Sequence, residues 1–137
     1  MRPVTKTFEE NVKDFLDGAY AHIDVDYGDK KSVQKSNNGI KKYRKAAMRI
    51  GTNYPDRVDE FAELLKHQNI EIAYRAAISM FEFMDPNDDQ TKLGFNLLFD
   101  VLYKADNATR MGLNWWLDQY FGEHPEHKQF DERDNNG

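Results

Sequence analysis

The segment His22-Ile23-Asp24-Val25-Asp26 sets an imidazole and two carboxylates at every second residue. On a strand such a set projects to one side and can hold a divalent cation, whereas at a helix end the three groups splay apart. Glu123-His124-Pro125-Glu126-His127 offers two histidines three residues apart with two carboxylates. That spacing imitates a helical ligand pair, but Pro125 interrupts it, and zinc-binding imidazoles need further groups to orient them. Asp85-Pro86-Asn87-Asp88-Asp89 opens like a calcium loop. It fails where Gln90 replaces the glycine of the turn and Asn96 the bidentate glutamate. The expected role of Asp88 or Asp89 is to cap the helix that follows. There is no glycine-rich phosphate loop, no G-x-S-x-G elbow and no H-E-x-x-H pair, so the expectation is a non-enzymatic protein with no catalytic set, no cofactor and no metal, an enzyme without a recognisable motif being an alternative.

Charge patterning is more informative. Between Asp29 and Ile50 stand eight cations and one anion, a local charge of +7, which leaves −12 on the rest of a chain of net −5. At 100° per residue, Lys41, Lys42, Lys45 and Arg49 share one arc opposite Ile40, Tyr43, Ala47 and Ile50. This basic stripe is one candidate for a partner-binding surface. The other is Trp115, which a helical wheel places beside Met111 at the margin of an apolar face made by Leu113, Trp116, Leu117 and Tyr120. Desolvated tryptophans are frequent anchors of protein interfaces.

The elements that must carry these groups are helical. Apolar residues recur at helical spacing in six stretches, separated by clusters of Gly, Pro and Asn. The first covers residues 8–23 and opens with Thr7-Phe8-Glu9-Glu10, the pattern of a capping box. The second carries Ile40, Tyr43, Ala46, Ala47 and Ile50, and Gly51 is the expected left-handed cap at its end. The third shows Val58, Phe61, Ala62, Leu64 and Leu65. The fourth, residues 70–84, is apolar on most sides and has a narrow polar arc of Glu71, Arg75, Ser79 and Glu82. A helix of that kind must be sandwiched between others. The fifth holds Leu93, Leu97, Leu98, Val101 and Leu102, and the sixth covers residues 108–121. Residues 123–137 are polar and aperiodic and are expected to form a flexible tail to a single domain of residues 1–122. The fold class predicted is all-α.

With 137 residues, the chain can remove roughly two-thirds of its unfolded surface from water. It contains no cysteine, which excludes disulfides, thiolate metal sites and cysteine nucleophiles. The mean hydropathy is −0.86. No apolar run approaches the ~20 residues of a membrane span, and the first residues run straight into charge. The expected location is the cytoplasm, without a membrane partner.

The even-numbered helices resemble one another. Lys45-Ala46-Ala47-Met48-Arg49-Ile50, Arg75-Ala76-Ala77-Ile78-Ser79-Met80 and Arg110-Met111-Gly112-Leu113-Asn114-Trp115 each set a cation before two residues of an expected close crossing and a large apolar residue. Small side chains let one helix backbone approach another. The best unit joins Val58-Asp59-Glu60-Phe61-Ala62-Glu63-Leu64-Leu65 to Asn69-Ile70-Glu71-Ile72-Ala73-Tyr74-Arg75-Ala76-Ala77. It resembles the HEAT-like repeats, although Tyr74 stands where their pattern has valine before arginine. The resemblance implies an α-α solenoid of three HEAT-like helix pairs, similar to a small bacterial family sometimes found beside toxin genes. It further implies a module that binds another protein, in its sharpest form an immunity-type antagonist of a toxin or other basic partner. Nucleic acid is the alternative partner that the stripe Lys41, Lys42, Lys45 and Arg49 would serve, and the −12 elsewhere opposes it.

Overall fold

The computed structural model describes residues 6–133. Among these the chain is all α-helical, with short 3-10 turns and no strand. The helices are α1 (Phe8–Ile23), α2 (Lys30–Asn53), α3 (Val58–Phe61), α4 (Ile70–Phe83), α5 (Asp88–Lys104) and α6 (Asn107–Glu123), with 3-10 segments at Pro55–Arg57, Ala62–Lys66 and Pro125–Phe130. No helix among them is long and apolar enough to cross a membrane.

Thr7 caps α1 with the reciprocal box anticipated from its sequence: its hydroxyl accepts from the Glu10 N–H while the Glu10 carboxylate accepts from the Thr7 N–H. The cap of α5 differs from expectation. Asn87, not Asp88 or Asp89, accepts from the Gln90 N–H, and the Gln90 side chain returns the bond to Asn87. The glutamine that spoils the calcium loop thus closes a capping box.

α2 also departs from expectation at its end. It runs through Gly51 to Asn53, and no glycine among the described residues has positive φ. Gly51 is there for space: a Cβ on it would lie 1.9 Å from the carbonyl oxygen of Phe83 at the end of α4. The third stretch is likewise only one α-turn that tightens into the 3-10 segment Ala62–Lys66, which still buries Val58, Phe61, Ala62 and Leu65.

α1 and α2 form an antiparallel pair, with Phe15 edge-on to Tyr43, and Phe8 edge-on to Tyr54. The pair crosses at two glycines. A Cβ on Gly18 would come within 2.6 Å of the Gly39 carbonyl oxygen, and one on Gly39 within 2.4 Å of the Gly18 carbonyl oxygen. α4 packs against α2 on one side and α5 on the other. Ala46, Ala47, Ala76 and Ala77 have no exposed surface, as the repeated small pairs predict for the first two units. The third unit does not follow. Met111 is exposed, and a Cβ on Gly112 would meet nothing within 4 Å. α6 turns Leu113, Leu117, Tyr120 and Phe121 inward, and among the described residues no helix packs closely on its Met111-Gly112 face.

Residues 123–133 do not form a solvated tail. Glu123 completes α6, Phe130 stacks on Phe95 with ring centroids 5.5 Å apart, and Asp131 is 2% exposed. The Asp131 carboxylate accepts from Arg133 Nε at 2.9 Å and Lys128 Nζ at 3.0 Å, and Arg133 reaches Asp118 of α6 at 2.9 Å. These charge pairs, invisible to a periodicity search, tie the segment to α6. Residues 134–137 lie outside the described part of the chain.

Candidate functional site

Residues of α2, α4 and α6 meet at a cleft of about 330 Å³. α2 contributes Tyr43 and Arg44, α4 contributes Tyr74, Arg75, Ile78, Ser79 and Glu82, and α6 contributes Thr109, Leu113, Trp115 and Trp116, with His22 reaching in from α1. Three residues of the polar arc on the central helix, Arg75, Ser79 and Glu82, therefore line the floor of a cavity. These three stand at i, i+4 and i+7, which keeps them on one side of α4.

Glu82 organises one wall. It accepts from Trp116 Nε1 at 2.9 Å and pairs with Arg44 at 2.9 Å, and the Arg44 guanidinium lies over the Phe83 ring. Arg75 forms the opposite side, with only 12% of its side chain exposed. Its Nη1 donates to the Glu71 backbone oxygen and carboxylate, and its guanidinium lies over the Tyr74 ring, 4.7 Å from the centroid. Burial pushes the Tyr43 and Tyr74 phenols above their ordinary range, and the adjacent Arg75 partly offsets this. Both hydroxyls stay protonated at neutral pH and available as donors.

His22 belongs to this cleft rather than to a cation site. Ser36 Oγ donates to the His22 carbonyl at 3.2 Å, which leaves His22 Nδ1 as the donor in their 2.9 Å contact. Burial, and then the positive Arg75, hold the imidazole below its ordinary pKa, so it is neutral at pH 7. Asp24 and Asp26 point elsewhere: Asp26 Oδ1 accepts from the Gly28 N–H in the loop. The second histidine set is also engaged locally. His127 Nδ1 lies 2.9 Å from the Tyr120 hydroxyl, His124 stacks on the Tyr120 ring, and burial raises that phenol to about 12. Among the described residues no cluster of three or more His, Asp or Glu is placed to hold a metal ion.

Compared with protein-family models, curated proteins and solved structures, the chain matches none.

The residues expected to meet a partner fall on two surfaces. Trp115 is 65% exposed at the rim of the cleft, and Met111, 74% exposed, stands one turn earlier on the same face of α6. Lys41, Lys42 and Lys45 are exposed on α2 and Arg49 is half-buried, and no ion pair within 4 Å engages any of the four among the described residues. Lys42 and Arg49 face Asp14 of α1 at longer range and help to keep that carboxyl below its usual range, behind the direct contact from Lys6. The stripe therefore flanks the α1–α2 pair, while Arg44, on the other side of the same helix, serves the cleft. The sequence reading missed Arg75, Ser79, Tyr43 and Tyr74 as site residues. Arg75 and Ser79 carry a signal, the polar arc on a helix otherwise apolar all round, whereas Tyr43 on α2 and Tyr74 beside the arc carry none.

Proposed function

We propose that the chain is a HEAT-like solenoid of three helix pairs that works without catalysis, by binding another protein across the cleft. The observation that carries this reading is the exposure of Trp115 and Met111 beside a cavity to which α2, α4 and α6 all contribute. Large apolar side chains held in solvent next to a preformed recess are the usual anatomy of a recognition surface, and solenoids use the surface lined by successive helices in this way. The specific form of the proposal is an immunity-type antagonist that occludes a toxin or other basic partner in the cytoplasm. Its support is the small size, the net charge of −5 and the resemblance of the Val58 to Ala77 unit to HEAT-like repeats.

Immobilised wild-type protein and Trp115→Ala, shown by circular dichroism to be equally folded, test the reading on an extract of the native organism. A partner identified by mass spectrometry that the wild type retains and the variant loses is the expected result. Equal retention by both removes Trp115 as the anchor and overturns the proposal.

The unpaired cations of α2 favour one second reading, nucleic-acid binding. It requires sub-micromolar affinity for duplex in about 150 mM salt and a logarithmic salt slope near the three or four phosphates that Lys41, Lys42, Lys45 and Arg49 would neutralise.

A further inference from the structure

A second recess, about 730 Å³, runs between α1 and α2 and shares no lining residue with the cleft. Its floor is the glycine crossing, Gly18 and Gly39, and its two walls carry opposite charge. Asp17 and Asp24 stand on the α1 side, and Lys31, Lys35 and Lys42 on the α2 side. The three lysines are exposed, and no ion pair within 4 Å engages any of them among the described residues. Asp24 is exposed and equally unpaired, while Asp17 meets Lys13 in an exposed i,i+4 pair of the kind that contributes little. Asp29, the third acid of the lining, caps α2 at the Lys31 N–H. The walls also share one spacing, since seven residues separate Asp17 from Asp24 and seven separate Lys35 from Lys42. The helices are antiparallel, and a Cβ on Gly18 would lie 3.1 Å from the Lys42 Cβ. Asp17 is therefore level with Lys42, and Asp24 with Lys35.

We propose that a second copy of the chain docks on this face, with α1 of each copy lying over α2 of the other. An acidic row beside a basic row at equal spacing is matched by the same two rows exchanged. A two-fold axis parallel to the helices makes that exchange and keeps each residue at its height, so Asp17 meets Lys42 of the second copy and Asp24 meets Lys35. A two-fold axis across the helices would set acid over acid. A phosphate backbone laid along the lysines would have the aspartates beside it, whereas a second copy satisfies both walls. α1 has 16 residues, or roughly 24 Å, and two helices side by side are roughly 20 Å wide. The face thus offers on the order of 500 Å² per copy against the ~800 Å² of a standard interface, which makes the dimer a weak and reversible one. This goes beyond the protein-binding reading, because the cleft, Trp115 and Met111 take no part in it.

Sedimentation equilibrium of the full chain tests it. A monomer–dimer equilibrium is expected at about 100 μM protein in about 50 mM salt, weakened about tenfold or more in about 500 mM salt. Charge reversal then locates the face. Lys35→Glu with Lys42→Glu makes both walls acidic, and Asp17→Lys with Asp24→Lys makes both basic. Each double variant, shown by circular dichroism to be folded, should be monomeric alone, and an equimolar mixture of the two should associate at least as tightly as the wild type. The milder pair Lys35→Gln with Lys42→Gln should weaken the wild-type dimer several-fold without reversing any charge. A wild type that stays monomeric under the low-salt condition sinks the proposal and leaves the recess to another occupant. Dimers that form equally well in either reversed variant, or a mixture that stays monomeric, place any association elsewhere on the molecule and also refute it. So does growth beyond the dimer, because a two-fold contact closes on itself.

Discussion

Asp131 shows how much one pairing contributes at the end of the chain. Burial works against its charge, but Arg133 and Lys128 outweigh that penalty and bring its pKa down to about 2. A carboxyl whose folded pKa lies below its unfolded value stabilises the fold above about pH 4, and the contribution is lost as the pH falls through the folded value. Asp131→Asn should therefore lower stability at pH 7 by about 2 kcal/mol, and the difference from wild type should shrink towards pH 2. Urea unfolding at both pH values measures it. A constant difference would mean that the amide is disturbed by packing rather than by loss of charge. Trp115 is the opposite case: with most of its surface in water, its truncation should leave the melting temperature unchanged, which is what makes it a clean probe of binding.

Between elements, the decisive distances are backbone to backbone. Gly18 and Gly39 sit in helix interiors, where glycine costs about 1 kcal/mol relative to alanine. Their crossing explains why no other residue stands there. Gly18→Ala drives a Cβ against the Gly39 carbonyl and should destabilise by about 2 kcal/mol or more. Gly112→Ala meets open space and should stabilise α6 by up to about 1 kcal/mol. The two alanines have opposite expected signs for the same chemical change, and thermal melts of both decide whether the crossing or helix propensity governs each site. Ala76→Leu should overpack the central crossing and cost about 1–3 kcal/mol. A neutral shift there would contradict the shared role of the alanine pairs in α2 and α4.

Over the whole molecule, charge is segregated: +7 between residues 29 and 50 and −12 elsewhere. Because no ion pair within the described chain uses Lys41 or Lys45, the double reversal Lys41→Glu with Lys45→Glu should change stability by no more than about 0.5 kcal/mol. Nucleic-acid binding should be weaker than micromolar at about 150 mM salt, since the remaining negative charge opposes a polyanion. Denaturant melts and a salt series with labelled duplex check the two expectations. A large loss of stability on reversal would show that the stripe is balanced inside the fold after all.

Periodicity and capping depend on residues within a few positions of one another, and these were legible without coordinates: the helical class, the Thr7–Glu10 box, the burial of the Ala46-Ala47 and Ala76-Ala77 pairs, and the central place of α4. What the tertiary structure decided depends on residues far apart along the chain. The role of Gly51 depends on a carbonyl at Phe83, and the fate of Glu82 depends on Arg44 and Trp116. The ordering of residues 123–133 depends on Arg133 reaching Asp118 and on Phe130 stacking against Phe95. The polar arc of α4 could be read as an arc from spacing alone. Only the packing of α2 and α6 around it turned that arc into a cleft, because a helix's polar face becomes a floor or a solvated surface according to what is placed opposite it.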